Sequence, residues 1–257
     1  MSQDVFSTIG FFEDFLAPFD DSGVAIVDAD GLIYGNNVRL VAVSGDVTVD
    51  TTVDEPGGVM SITGAGAAAD GLAIISSKFC PNDGTISMGA RFKYATGADV
   101  RLFVGWAETV DRDEPVNPAT VSGTTLTVNN SGETFGVYYD TGATTDDFRA
   151  IATNGSAIDS ATGLGTLGAR ANAALTADSW NVVRVEVDQN GVGRVYLGNA
   201  ANDPSGTGPK LVYTLPAGYL TTTAQYTPYV LLAANSTGDE TMEVDYYWAR
   251  GSRDWTN

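Results

Sequence analysis

The sequence predicts an all-β protein, an antiparallel two-sheet jelly-roll sandwich. Three observations predict it. Several segments alternate apolar and polar residues with a period of two, the pattern of half-buried strands. Asn190-Gly191 stands between two of them and supplies the positive φ of a tight hairpin turn. No amphipathic helix longer than a turn or two interrupts the series.

In chain order, the first feature is a cluster of Phe6, Phe11, Phe12, Phe15 and Phe19 near the N-terminus. Residues 1–20 read as an aromatic arm or edge strand, and residues 21–257 as a single β-sandwich domain. Phe11, Phe12, Phe15 and Phe19, with Trp255 near the other end, are the candidate contacts to a neighbouring subunit. Short strands are expected near 58–63 and 72–79. Ile86, Met88, Ala90, Phe92 and Tyr94 then share one face of a strand, with Ser87, Gly89, Arg91 and Lys93 on the other. Val100–Trp106 alternates likewise, and the two are expected to pair as a hairpin. Further short strands are expected near 134–140 and 147–153. The Gly/Ala/Ser/Thr-rich stretch 154–178 shows no strand pattern, and a loop of that length is usually a binding or contact element.

Trp180–Gly198 gives the clearest signal. Val183, Val185 and Val187 face one way, while Arg184, Glu186 and Asp188 face the other. The return strand puts Val195 and Leu197 inward, with Arg194 and Tyr196 opposite, so ion pairs from Arg184 or Arg194 to Glu186 are expected. A strand is expected near 211–215, and the continuous apolar run 229–234 reads as one near a sheet centre. The closing segment places Met242, Val244, Tyr246 and Trp248 on the core face, and Glu243, Asp245 and Tyr247 outside.

Trp180–Asp188 with Gly193–Gly198 resembles a hairpin of the concanavalin A/laminin-G superfamily. Met242–Trp248 resembles that superfamily's final strand, and Phe11-Phe-Glu-Asp-Phe15 its opening strand, which pairs near the last. The resemblance implies a concanavalin A-like sandwich, a fold that binds glycans, builds virion surfaces and sometimes hydrolyses sugars.

Composition narrows the function. Thirty-two acidic and 13 basic residues leave a net charge of -19, which disfavours nucleic acid and anionic membranes as partners. The absence of histidine excludes catalytic triads built on it, imidazole proton transfer and HExxH zinc sites. Cys80 is the single cysteine, so no intrachain disulfide forms, and it reads as a small buried apolar residue. Met1-Ser2-Gln3-Asp4 has no basic n-region or apolar h-region, so no signal peptide is expected. Asp28-Ala-Asp30-Gly31 is a fragment of a calcium loop, but Arg39 occupies the position where an EF-hand needs glutamate. No cofactor or metal is expected.

Family-16 glycoside hydrolases share the expected fold and carry a Glu-x-Asp-x-(x)-Glu strand, whose two glutamates are set for retaining chemistry. Glu186-Val-Asp188 and Glu243-Val-Asp245 lack the third carboxylate of that pattern, so no catalytic residue and no enzymatic activity is expected. In style the chain resembles tailed-phage structural proteins: Gly/Thr/Ala-rich, poor in histidine and lysine, and built of short strands. That resemblance implies a non-enzymatic capsid decoration (cement) protein, made in a host cytoplasm. Its partners would be the major capsid protein and further copies of itself, as a homo-oligomer such as a trimer. The alternative is a glycan-binding module of a fibre or adsorption apparatus, with glycans as partners.

Overall fold

The computed structural model describes residues 8–13, 24–26, 31–34, 38–43, 45–51, 58–64, 70–95, 99–110, 115, 117–122, 125–128, 132–141, 149–154, 175–199, 208–235 and 240–252. Its first strands are β1 (Thr8–Glu13), β2 (Val24–Ile26), β3 (Gly31–Tyr34), β4 (Val38–Val43), β5 (Val47–Thr51) and β6 (Met60–Gly64). Next come β7 (Gly71–Ile75), β8 (Ile86–Tyr94), β9 (Val100–Ala107), β10 (Ala119–Ser122), β11 (Thr125–Val128) and β12 (Glu133–Asp140). The remainder are β13 (Arg149–Asn154), β14 (Asn181–Val187), β15 (Gly193–Gly198), β16 (Lys210–Leu215), β17 (Thr227–Ala234) and β18 (Thr241–Ser252).

Two antiparallel sheets hold nearly all of them. The nine-stranded sheet runs β16-β15-β14-β8-β18-β6-β5-β2, with β1 also on β18; the seven-stranded sheet runs β13-β12-β9-β17-β7-β4-β3. β10 and β11 form a separate hairpin. Among the described residues no helix is long and apolar enough to cross a membrane.

The main core lies between the sheets. Alternation builds it: Met88, Ala90 and Phe92 of β8, Val183, Val185 and Val187 of β14, and Val230 and Leu232 of β17 all point inward. Side chains of opposite sheets also bond across it. Trp106 Nε1 donates to the Val185 carbonyl at 3.2 Å, Tyr247 Oη donates to the Pro228 carbonyl at 2.9 Å, and the Tyr94 and Tyr139 hydroxyls lie 3.2 Å apart. Each bond satisfies a polar atom where water is excluded and fixes one sheet against the other.

The β14–β15 hairpin closes as its sequence predicts. Gly191 has φ 71°, and Asp188 Oδ1 accepts from the Asn190 and Val192 N–H groups at 2.9 and 3.1 Å. The 229–234 run lies within β17, the middle strand of the seven-stranded sheet.

Three expectations are corrected. β8 and β9 do not form a hairpin: β8 lies between β14 and β18, and β9 between β12 and β17 in the other sheet. Alternation reveals which face of a strand is buried, but not which strand is its neighbour. The second correction concerns β18, whose register against β8 slips between Val244 and Tyr246. This bulge inverts the alternation, so Tyr247 and Ala249 are buried while Tyr246 and Trp248 are half-buried on the outer face. The slip falls where β18 exchanges one neighbour for another, leaving β6 at Val244 and meeting β1 at Tyr247. Third, Cys80 is half-buried rather than buried, with its thiol donating to the Thr222 carbonyl at 3.4 Å.

Glu133, at the start of β12, ties the 217–225 segment to the sheet. Its carboxylate accepts from the Thr221 N–H at 2.7 Å, the Thr221 hydroxyl at 2.5 Å and the Tyr226 hydroxyl. Burial, and then the bond to Glu133, push the Tyr226 hydroxyl far above its ordinary pKa, so it stays a donor. Glu133→Ala should cost about 2 kcal/mol, the value of charge-assisted bonds at a half-exposed site. Hydrogen exchange should show the loss first at residues 221–226; unchanged protection there would exclude the clamp.

Candidate functional site

The outer face of the nine-stranded sheet collects aromatic rings and ion pairs in ordered rows. Register places Leu211, Tyr196, Arg184, Gly89 and Trp248 in one line across β16, β15, β14, β8 and β18. A second line holds Arg194, Glu186, Ser87 and Arg250, and a third holds Val182, Arg91 and Tyr246. Because strands present alternate residues to each face, these side chains all leave the sheet on the side away from the core.

The polar groups of this face hold one another. Arg91 pairs with Asp245, and Lys93 with Glu243. Arg184 Nε donates to Glu186 Oε1 at 2.9 Å, and the Tyr196 hydroxyl donates to Glu186 Oε2 at 2.9 Å. Burial, then this bond, push the Tyr196 hydroxyl above its ordinary range. Arg194 pairs with Asp188 at 3.0 Å rather than with Glu186, so one of the two expected arginine–Glu186 contacts forms, along its own strand. Burial opposes the Asp188 charge, yet the Val192 and Asn190 amides together with Arg194 hold its pKa below the ordinary carboxylate value.

Cations also lie against the rings. The Arg91 and Lys93 head groups sit 4.5 and 4.9 Å from the Trp180 ring centroid, Arg184 lies 4.4 Å from Tyr196, and Arg250 lies 5.5 Å from Trp248. Each such contact contributes about 0.5–1 kcal/mol at a partly exposed site. Their larger effect is to fix the rings in place. Trp180, Tyr196, Tyr246 and Trp248 are all half-buried.

Gly89 explains the pose of Trp248. A Cβ at Gly89 would lie 2.7, 2.8 and 3.0 Å from indole atoms Nε1, Cε2 and Cζ2. The Nε1–Cε2–Cζ2 edge of the indole therefore occupies the space that a side chain at Gly89 would fill.

The outer face of the seven-stranded sheet differs. It carries a second apolar cluster, with Phe103, Tyr138, Ile151, Tyr229 and Leu231 all buried and Ala119 of β10 packed among them. At one end sits Asp140, 2% exposed. Its carboxylate accepts from Tyr138 Oη at 2.5 Å and Asn235 Nδ2 at 2.8 Å, and pairs with Arg101 Nε at 3.3 Å. Beside it, Thr141 Oγ1 donates to Asp99 Oδ1 at 2.8 Å. These groups pair with one another inside the fold.

Of the sequence candidates, Phe11 and Phe12 lie in β1, opposite Ala249 and Trp248 of β18. Phe15, Phe19 and Trp255 lie outside the described residues, as do Asp28, Asp30 and most of the stretch 154–178. Among the described residues no three histidine, cysteine, aspartate or glutamate side chains gather to hold a metal. Sequence reasoning placed Arg91, Lys93, Arg184 and Tyr196 on an outer face but did not join them into a site. Trp180 was read only as the opening of a hairpin, and Trp248 was assigned to the core.

No family model and no curated protein matches the chain. Solved structures do. A protein of unknown function, SO2946 from Shewanella oneidensis MR-1, aligns at TM-score 0.57 and 14% identity, covering 100% of this chain and 91% of its own. The carbohydrate recognition domain of Emp47p aligns at TM-score 0.52 and 12% identity, over 92% of this chain and 100% of that one. The winged bean acidic lectin, solved with methyl-α-D-galactose, aligns at TM-score 0.51 and 12% identity, over 96% and 100%. At these identities the likeness establishes the fold alone: a concanavalin A-like β-sandwich of the legume-lectin kind.

Proposed function

We propose that this protein is a non-enzymatic glycan-binding module, and that its ligand lies on the outer face of the nine-stranded sheet. One observation carries the proposal: Trp180, Tyr196 and Trp248 stand half-exposed on one sheet face, among carboxylates and guanidiniums already held in place. Aromatic rings pack against the C–H faces of sugars, and fixed polar groups bond their hydroxyls without an ordering cost. Among the described residues, the outer aromatics of the other sheet, Phe103, Tyr138 and Tyr229, are buried. Support also comes from the fold likeness to a carbohydrate recognition domain and to a lectin solved with a galactoside. These likenesses favour glycan binding over the capsid-decoration role suggested by composition.

The carboxylates of β14 and β18 suit this role better than hydrolysis. Glu186, Asp245 and Glu243 each pair with a cation on this face and offer their oxygens as hydrogen-bond acceptors. A glycan array probed with the intact protein tests the reading. Binding to a defined set of glycans is expected, with a loss of roughly ten-fold in affinity for Trp180→Ala. An array with no bound glycan would overturn it.

A further inference from the structure

We propose that the ligand is a neutral, extended polysaccharide lying across the strands along the line Tyr196–Arg184–Gly89–Trp248, an inference that rests on the glycan-binding reading. Three features of the face converge on this class. Trp248 fills the space above Gly89 that a side chain there would take, so its indole is held against the sheet while half-buried on its outer face. Tyr196 stands in the same line three strands away, about 14 Å at the usual interstrand spacing. One sugar ring cannot touch both aromatics; a chain of sugars can.

Charge sets the class further. In a chain of net charge -19, this face carries Arg91, Lys93, Arg184, Arg194 and Arg250 against Glu186, Asp188, Glu243 and Asp245, close to local balance. Arg91, Lys93, Arg184 and Arg194 are committed to those carboxylates, and Arg250 donates to Ser87 Oγ at 2.9 Å. A sulfated or uronic-acid polymer would have to displace carboxylates from these cations while approaching an acidic protein. A neutral polymer leaves the pairs intact. Its hydroxyls donate to carboxylate lone pairs that the arginines do not fill.

The test is affinity gel electrophoresis and calorimetry of the intact protein. The neutral probes are a soluble β-glucan, a galactomannan and a dextran; the anionic probes are alginate and dextran sulfate. The expected result is binding to at least one neutral polymer, unaffected by 1 M salt, with each of Trp248→Ala and Tyr196→Ala weakening it roughly ten-fold. Tyr196→Phe, which keeps the ring, should retain most of the affinity, and near-ultraviolet circular dichroism verifies that each variant is folded. Salt-sensitive binding of the anionic polymers alone overturns the ligand class. So does a monosaccharide that binds as tightly as its polymer. Array binding that survives Trp248→Ala and Tyr196→Ala overturns the location and leaves the glycan-binding reading standing, whereas silence on every glycan overturns both. Self-association in sedimentation that Trp248→Ala abolishes and no polymer displaces would instead make this face an interface between copies of the chain.

Discussion

Trp106→Ala should be the most destabilising single truncation among the described residues, removing about 4 kcal/mol. The indole is fully buried between the sheets and meets Phe79 edge-on, with centroids 5.8 Å apart. Truncation leaves a cavity that strands on both sides are too constrained to close. It also strips the Val185 carbonyl of a donor from the opposite sheet. Trp106→Phe separates the two effects. It keeps much of the volume and loses the N–H bond, so about 1–2 kcal/mol should be lost. Urea denaturation followed by circular dichroism gives both values, and a loss below about 1 kcal/mol for alanine would contradict the packing described.

Asp140→Ala should follow, at about 3 kcal/mol, for an electrostatic reason. A buried ion pair adds little net stability relative to apolar residues, because its two charges lose their water. Removing one member is costly all the same, since the other is left behind. Here the survivors would be the Arg101 guanidinium, the Tyr138 hydroxyl and the Asn235 amide, all aimed at an absent acceptor. Asp140→Asn keeps an oxygen for one of these donors and turns an amide N–H₂ toward the others, so it should recover only part of the loss. Equal stability of the alanine variant and the wild type would mean that water or a rearranged Arg101 replaces the carboxylate at no cost.

These two sites also show how far the sequence could be read. Alternation located Trp106 on the core face of β9, and the structure buries it. The faces of β8, β14 and β15 were equally legible, because each strand keeps a uniform pleat across its length. β18 does not. Its bulge adds one residue against β8, and every side chain beyond it changes face. That is why Trp248, central to the candidate site, was read as core. Neighbour relations were less legible still, since pairing depends on contacts far apart in sequence. β9 was assigned to β8 because it follows β8 in the chain, whereas its partners are β12 and β17. The Glu133–Tyr226 bond joins residues 93 apart and leaves no local trace. The Asp140 network was missed for the same reason, its amide partner lying 95 residues away.

The order of strands in space has a consequence in time. β17 is the middle strand of the seven-stranded sheet, and β18 joins β8 on one side to β6 and β1 on the other. Both are the last described strands to leave a ribosome. Until they emerge, each sheet exists only as separated flanks, with β7 and β4 cut off from β9 and β12, and β6 and β5 cut off from β8 and β14. The apolar faces of those flanks lack the strands that join them, so sheet closure waits for residues 227–252 and includes long-range pairings such as Thr8 against Ser252. A nascent chain of this topology is exposed to misassembly until residues 227–252 arrive.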